Sequence, residues 1–148
     1  MKIESSAFKN GELIPSRYTC DADNVSPPLL ISDVPAGSKS LALIMDDPDA
    51  PGGTWVHWTV WNIDTETSEI AEASLPENAI EGTTSFGVPG YGGPCPPSGI
   101  HRYFFKLYAL DTLLQLPPET TIDGLEKVMN GHTIAEASYM GRYNREKE

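Results

Sequence analysis

Hydrophobic positions in this chain fall in short runs, mostly with a period of two, separated by glycine, proline and acidic residues. Met1 to Phe8 is predicted as a first short strand, followed by the hairpin-type dipeptide Asn10-Gly11. Tyr18 to Pro28 is polar and turn-rich, Leu29 to Ile31 is a short apolar strand, and Val34-Pro35-Ala36-Gly37 is a turn. Leu41 to Met45 (LALIM) is brief and apolar throughout, which suits a strand covered on both faces. Trp55 to Ile63 (WVHWTVWNI) alternates. Trp55, His57, Thr59, Trp61 and Ile63 share one face, and Val56, Trp58, Val60 and Asn62 share the other. Neither face is strongly polar, so the strand is predicted to be central, with all three tryptophans mostly buried.

The clearest alternation is HRYFFKLYAL, His101 to Leu110. His101, Tyr103, Phe105, Leu107 and Ala109 face one way. It follows the stiff segment Tyr91 to Gly99, rich in glycine and proline, in which Pro94, Pro96 and Pro97 carry no amide hydrogen. Asp64 to Asn78 is polar and irregular. Toward the C-terminus the period changes. Leu125, Val128 and Met129 recur at helical spacing, with Gly131 as the terminator. Thr133 and Glu136 read as the capping box of a second helix running through Met140. The expected architecture is one mainly β domain over residues 1–148, with short helices at its C-terminal end.

Composition narrows the function. The 148 residues carry a formal net charge of −11, which argues against nucleic acid and anionic membrane surfaces as partners. The apolar runs are too short to span a bilayer, and the N-terminus lacks the apolar core of a signal peptide, so a cytoplasmic protein is expected. In that setting Cys20 and Cys95 are expected as free thiols.

Groups able to do chemistry concentrate in two places. Asp46-Asp47-Pro48-Asp49-Ala50-Pro51 ends the LALIM strand, and read alone it is an ordinary turn. His57 and His101 sit on separate apolar strands, each near a proline-bearing loop. One such histidine is more often a hydrogen-bonded core residue, but two tilt the balance toward a shared site, with Tyr103 close by.

Five segments then carry a resemblance. They are Ser26-Pro27-Pro28; Val34-Pro35-Ala36-Gly37 with Ser40-Leu41-Ala42-Leu43; Asp47-Pro48-Asp49-Ala50-Pro51; Trp55-Val56-His57-Trp58; and Gly93-Pro94-Cys95-Pro96-Pro97 with Gly99-Ile100-His101-Arg102-Tyr103. In this order they resemble the phosphatidylethanolamine-binding protein family, also called the Raf kinase inhibitor-like family, in its bacterial and archaeal branch. The resemblance implies a Greek-key β-sandwich of two antiparallel sheets with peripheral and C-terminal helices. It implies a small cavity for phosphate, acetate, cacodylate or a phospholipid headgroup, lined here by Asp47, Pro48, Asp49, Pro51, Trp55, His57, Gly93, Pro94, His101 and Tyr103. It also implies a homodimer and a kinase or protease as protein partner; neither cofactor nor metal is expected.

In so acidic a chain the attraction for an anion must be local. The expected donors are the imidazoles of His57 and His101, the Tyr103 hydroxyl, and free amides at Gly92 and Gly93. Asp47 and Asp49 then orient the histidines or accept from an ammonium or alcohol group. Two enzyme readings compete. A hydrolase would use His57, His101 and Asp47 as acid and base with Cys95 or Ser98 as nucleophile. A metal enzyme would use the two histidines and two aspartates, although their spacing matches no close-set ligand motif.

Overall fold

The long alternating runs of the sequence become the middle of a sheet. The computed structural model describes residues 1–145. Its strands are β1 (Lys2–Glu4), β2 (Leu29–Ser32), β3 (Ser40–Asp47), β4 (Trp55–Ile63), β5 (Glu69–Ile70), β6 (Ile80–Glu81), β7 (His101–Leu110) and β8 (Thr133–Tyr143). They form two sheets, ordered β1-β2-β5 and β6-β4-β3-β7-β8, with antiparallel pairing throughout. One α-helix, α1 (Ile122–Met129), and a single 3-10 turn at Ser16–Tyr18 complete the regular structure of the described residues.

The core follows from β3. Leu41, Leu43 and Met45 point between the sheets, where they meet Trp58, Val60 and Ile63 of β4, Phe105 and Leu107 of β7, and Ile3, Leu29, Ile31 and Ile70 of the smaller sheet. Ala42 and Ile44 point to the other face, where Trp61, Leu110 and Leu114 gather beneath Leu125 and Met129 of α1. A strand covered on both faces is therefore what LALIM forms. Each of its large side chains contributes ~1.5–3 kcal/mol by leaving water. Among the described residues no helix is long and apolar enough to cross a membrane.

The C-terminal segment departs from its expected helix. Thr133 to Tyr143 is the strand β8, paired with β7 from Leu110↔Thr133 to His101↔Tyr143. Ala135, Ala137 and Tyr139 pack against the core, so a period of two is present beneath the alanine and glutamate that favour helix. Ten residues of β7 with an otherwise open edge outweigh that local preference. Only α1 realises the helical prediction, and Gly131 follows it at φ +85°.

The Asn10-Gly11 turn closes no hairpin. It docks on β8, where the Gly11 amide donates to Met140 O and the Ile14 amide to Arg142 O. That approach requires Gly141, because a Cβ there would lie 2.4 Å from Ile14 Cγ1.

Candidate functional site

Strict alternation along β4 fails twice, and the second failure builds the site. The β3–β4 register shifts between Leu41 and Leu43 and again between Met45 and Asp46. Each time β4 carries one residue more than β3. At the first bulge Asn62 takes φ +58°, a conformation asparagine tolerates, and its side-chain amide exchanges two hydrogen bonds with the Leu114 backbone. At the second, Trp58 pairs with Met45 and Val56 with Asp46, which leaves His57 as the extra residue. The inward face is therefore Trp58, Val60 and Ile63 rather than the set that simple alternation predicts, and Trp61 lies on the outer face. His57 turns to meet Tyr103 of β7, with ring centroids 5.2 Å apart.

His57, Tyr103, His101 and Asp47 form the polar wall of a cavity of about 210 Å³. Ala50, Pro51, Trp55, Phe86, Cys95, Pro96 and Pro97 supply the rest of the lining. At ~30 Å³ per water this is room for roughly seven waters, or one small ion and its company. All four polar side chains belong to buried residues, with His57 4% and His101 6% exposed.

Each imidazole is fixed through Nδ1. His57 Nδ1 lies 2.7 Å from Gly92 O, and His101 Nδ1 lies 2.7 Å from Asp47 Oδ2. A carbonyl and a carboxylate both accept, so each Nδ1 carries its hydrogen and Nε2 is the nitrogen left for the cavity. Burial foremost holds the His57 pKa below its ordinary value, against the opposing pull of the Gly92 carbonyl and of Asp47 and Asp46. The Tyr103 hydroxyl has no hydrogen-bond partner among the described residues. Burial, reinforced by Asp47 and Asp49, raises its pKa and keeps its proton on.

Charges around the cavity are neutralised behind it. Asp47 Oδ1 accepts from the Asp49 amide, so both Asp47 oxygens are engaged. Asp49 accepts from the Arg102 amide, Nε and Nη2, and this clamp lowers its pKa to about 2. Lys106 pairs with Asp46 at 2.9 Å. Among the described residues neither lysine nor arginine lines the cavity.

The glycine-proline segment is held from outside. The Gly92 amide donates to His57 O, and the Gly93 amide to Asn24 Oδ1. Neither is therefore the free donor expected. A Cβ on Gly93 would stand 2.3 Å from Tyr18 O, so glycine lets the two loops touch. Cys20 N donates to Pro94 O, and Tyr91 OH to Tyr18 O. In that contact Cys20 and Cys95, expected as free thiols, form a disulfide with Cα atoms 5.5 Å apart. Sequence gave no measure of how the loops meet; the correction comes from their tertiary packing.

Of the ten residues singled out, Asp47, Pro51, Trp55, His57, His101 and Tyr103 come together around the cavity. Pro48, Asp49, Gly93 and Pro94 do not line it. Trp55, expected to be buried, is 38% exposed at the rim, edge-on to Phe86. Phe86 had no signal, since it lies in a turn without periodicity, whereas Cys95, Pro96 and Pro97 lay inside a motif already noted. Cys95 is oxidised and Ser98 does not line the cavity, so neither nucleophile of the hydrolase reading is presented. Among the described residues no three His, Cys, Asp or Glu side chains gather as a metal cluster.

A sandwich of this topology with an imidazole-lined pocket has known relatives. The family model described as phosphatidylethanolamine-binding protein matches residues 4–144, and the chain belongs to that family. It is 47% identical over 150 aligned positions to a UPF0098 protein of Methanothermobacter thermautotrophicus, covering 98% of this chain and 99% of that one. The crystal structure of CT736 from Chlamydia trachomatis, described as a homologue of phosphatidylethanolamine-binding protein, superposes with a TM-score of 0.94 at 42% identity, covering 98% and 97% of the two chains. E. coli YbcL, described as a new member of the mammalian family, gives a TM-score of 0.92 at 34% identity, covering 98% of each.

Proposed function

We propose that this cavity binds a small oxyanion or the phosphate of a lipid-type headgroup, and that binding rather than turnover is its task. One observation carries the reading: two histidines, each anchored through Nδ1, flank an unpartnered tyrosine hydroxyl inside a mostly apolar cavity. Polar groups fixed in direction on an apolar wall give specificity without a nucleophile. Family membership extends the same reading to a homodimer and a kinase or protease partner. Sedimentation showing one 16.1 kDa species at micromolar concentration would remove the dimer from it.

The test is calorimetric titration with phosphate and phosphorylethanolamine on the wild type, His57→Ala and His101→Ala. Loss of the His101 hydrogen bond to the bound ligand is expected to weaken binding by ~1.5–3 kcal/mol, about ten- to a hundredfold. Equal affinities in all three proteins would place the anion elsewhere.

A further inference from the structure

We propose that the cavity takes its oxyanion in a form that carries a hydrogen, so that a phosphomonoester monoanion is preferred to a sulfate ester of the same shape and charge. This rests on the reading of the cavity as an anion site and names the ligand species that site selects.

The inference starts from the direction of one hydrogen bond. Gly92 O can only accept, so the His57 hydrogen is on Nδ1 and the neutral ring turns a bare lone pair at Nε2 toward the cavity. A lone pair facing an oxyanion is repulsive unless a hydrogen lies between them. That hydrogen sits either on the ligand oxygen or on the imidazole. Burial of His57 disfavours the imidazolium, which leaves the ligand as the better carrier. Tyr103 supplies the complementary group, a hydroxyl that keeps its proton and donates to an ionised oxygen.

Charge points the same way. Arg102 is committed to Asp49 and Lys106 to Asp46, and among the described residues no lysine or arginine lines the wall. Asp47 already puts a carboxylate there. A dianion therefore meets no fixed counter-charge, whereas a monoanion bearing one hydroxyl offers a donor to the Nε2 lone pair of His57 and an acceptor to Tyr103. The groups facing His57 are Asp46 and Asp47 from β3, Tyr103 and beyond it His101 from β7, and Phe86 with the Gly92 and Gly93 carbonyls from the preceding loop.

Methyl phosphate and methyl sulfate isolate the hydrogen. At pH 5.5 methyl phosphate is chiefly a monoanion with one hydroxyl, given a second pKa near ~6. Methyl sulfate is a monoanion with none. Titration calorimetry of the wild type at pH 5.5 is expected to show methyl phosphate bound about ten- to a hundredfold more tightly. Between pH 6.5 and 8 its affinity is expected to fall about tenfold per pH unit, with close to one proton taken up per ligand in a pair of buffers of different ionisation enthalpy. His57→Gln, which places an amide donor where the lone pair was, is expected to erase the preference by admitting methyl sulfate. Equal affinity of the wild type for the two esters, or no proton uptake at pH 8, would overturn the inference and leave the anion site standing. Binding of neither ester would overturn the anion reading as well.

Discussion

Removing the Cys20–Cys95 bridge is the most informative single perturbation of the scaffold. The cysteines are 75 positions apart, so the cross-link closes half of the chain. In the loop-entropy account a ring of that size restricts the unfolded state by about 4.5 kcal/mol at 25 °C, while losses measured for native bridges run ~2–5 kcal/mol. Cys95 is exposed and Cys20 only half-buried, so Cys20→Ala/Cys95→Ala leaves little cavity and the loss reports the cross-link itself. The assay is urea unfolding followed by tryptophan fluorescence. With an m-value of ~2 kcal/mol per molar, a loss of ~4 kcal/mol lowers the midpoint by roughly 2 M. The m-value is also expected to rise, because an uncrosslinked unfolded chain exposes more surface. A midpoint shift below ~0.5 M with unchanged m would show that the contacts at Gly93, Pro94 and Tyr91 hold the loops without the bridge, and the argument from ring size would fail.

Three further outcomes follow from the site. Because the Asp49 pKa is lowered to about 2 from 3.8, its clamp stabilises the fold above pH ~4 and is lost as pH falls through about 2; Arg102→Met should therefore lower urea midpoints at pH 5 and converge with the wild type near pH 2. His57 is depressed instead, so below about 6.5 the unfolded chain binds the extra proton; without anion the stability contributed by its neutral ring should be full above pH 6.5 and shrink toward pH 5, and His57→Gln should flatten that slope in thermal melts. Gly93→Ala forces a Cβ to 2.3 Å from a carbonyl oxygen, and a loss of ~2–4 kcal/mol in chemical denaturation is expected; a loss under ~0.5 kcal/mol would show that the loops separate freely.

What the sequence disclosed depends on whether the signal was local. LALIM and the β4 run announced themselves as apolar stretches buried on both faces, and HRYFFKLYAL by an alternation that its burial follows. The stretch from Thr133 did not, since its alanines and glutamate favour a helix and only the edge of β7 decides otherwise. Six of the ten site residues, all marked by motif, lie together because the end of β3, the start of β4, the turn between them and the start of β7 meet at one end of the sheet. The engagement of the Gly92 and Gly93 amides, the Cys20–Cys95 bond and the placing of Phe86 against His57 depend on distant loops meeting, which no window of sequence contains.

The bulges at Asn62 and His57 have a consequence for how such a protein can change. They act on β4 as frame shifts act on a message. Trp58 to Trp61 is written in one phase, which the core reads, and Trp55 to His57 is written in another, which the cavity reads. Substitutions in the second phase leave the parity of the first untouched, so the ligand-facing set can drift while the packing text stays legible. Deletion of His57 would instead remove the bulge, leave Val56 opposite Asp46 and Trp55 opposite Asp47, and take an imidazole out of the ligand wall. In this fold the lineage of a binding specificity is recorded in the identity of residues on one side of the bulge, and its extinction in their number.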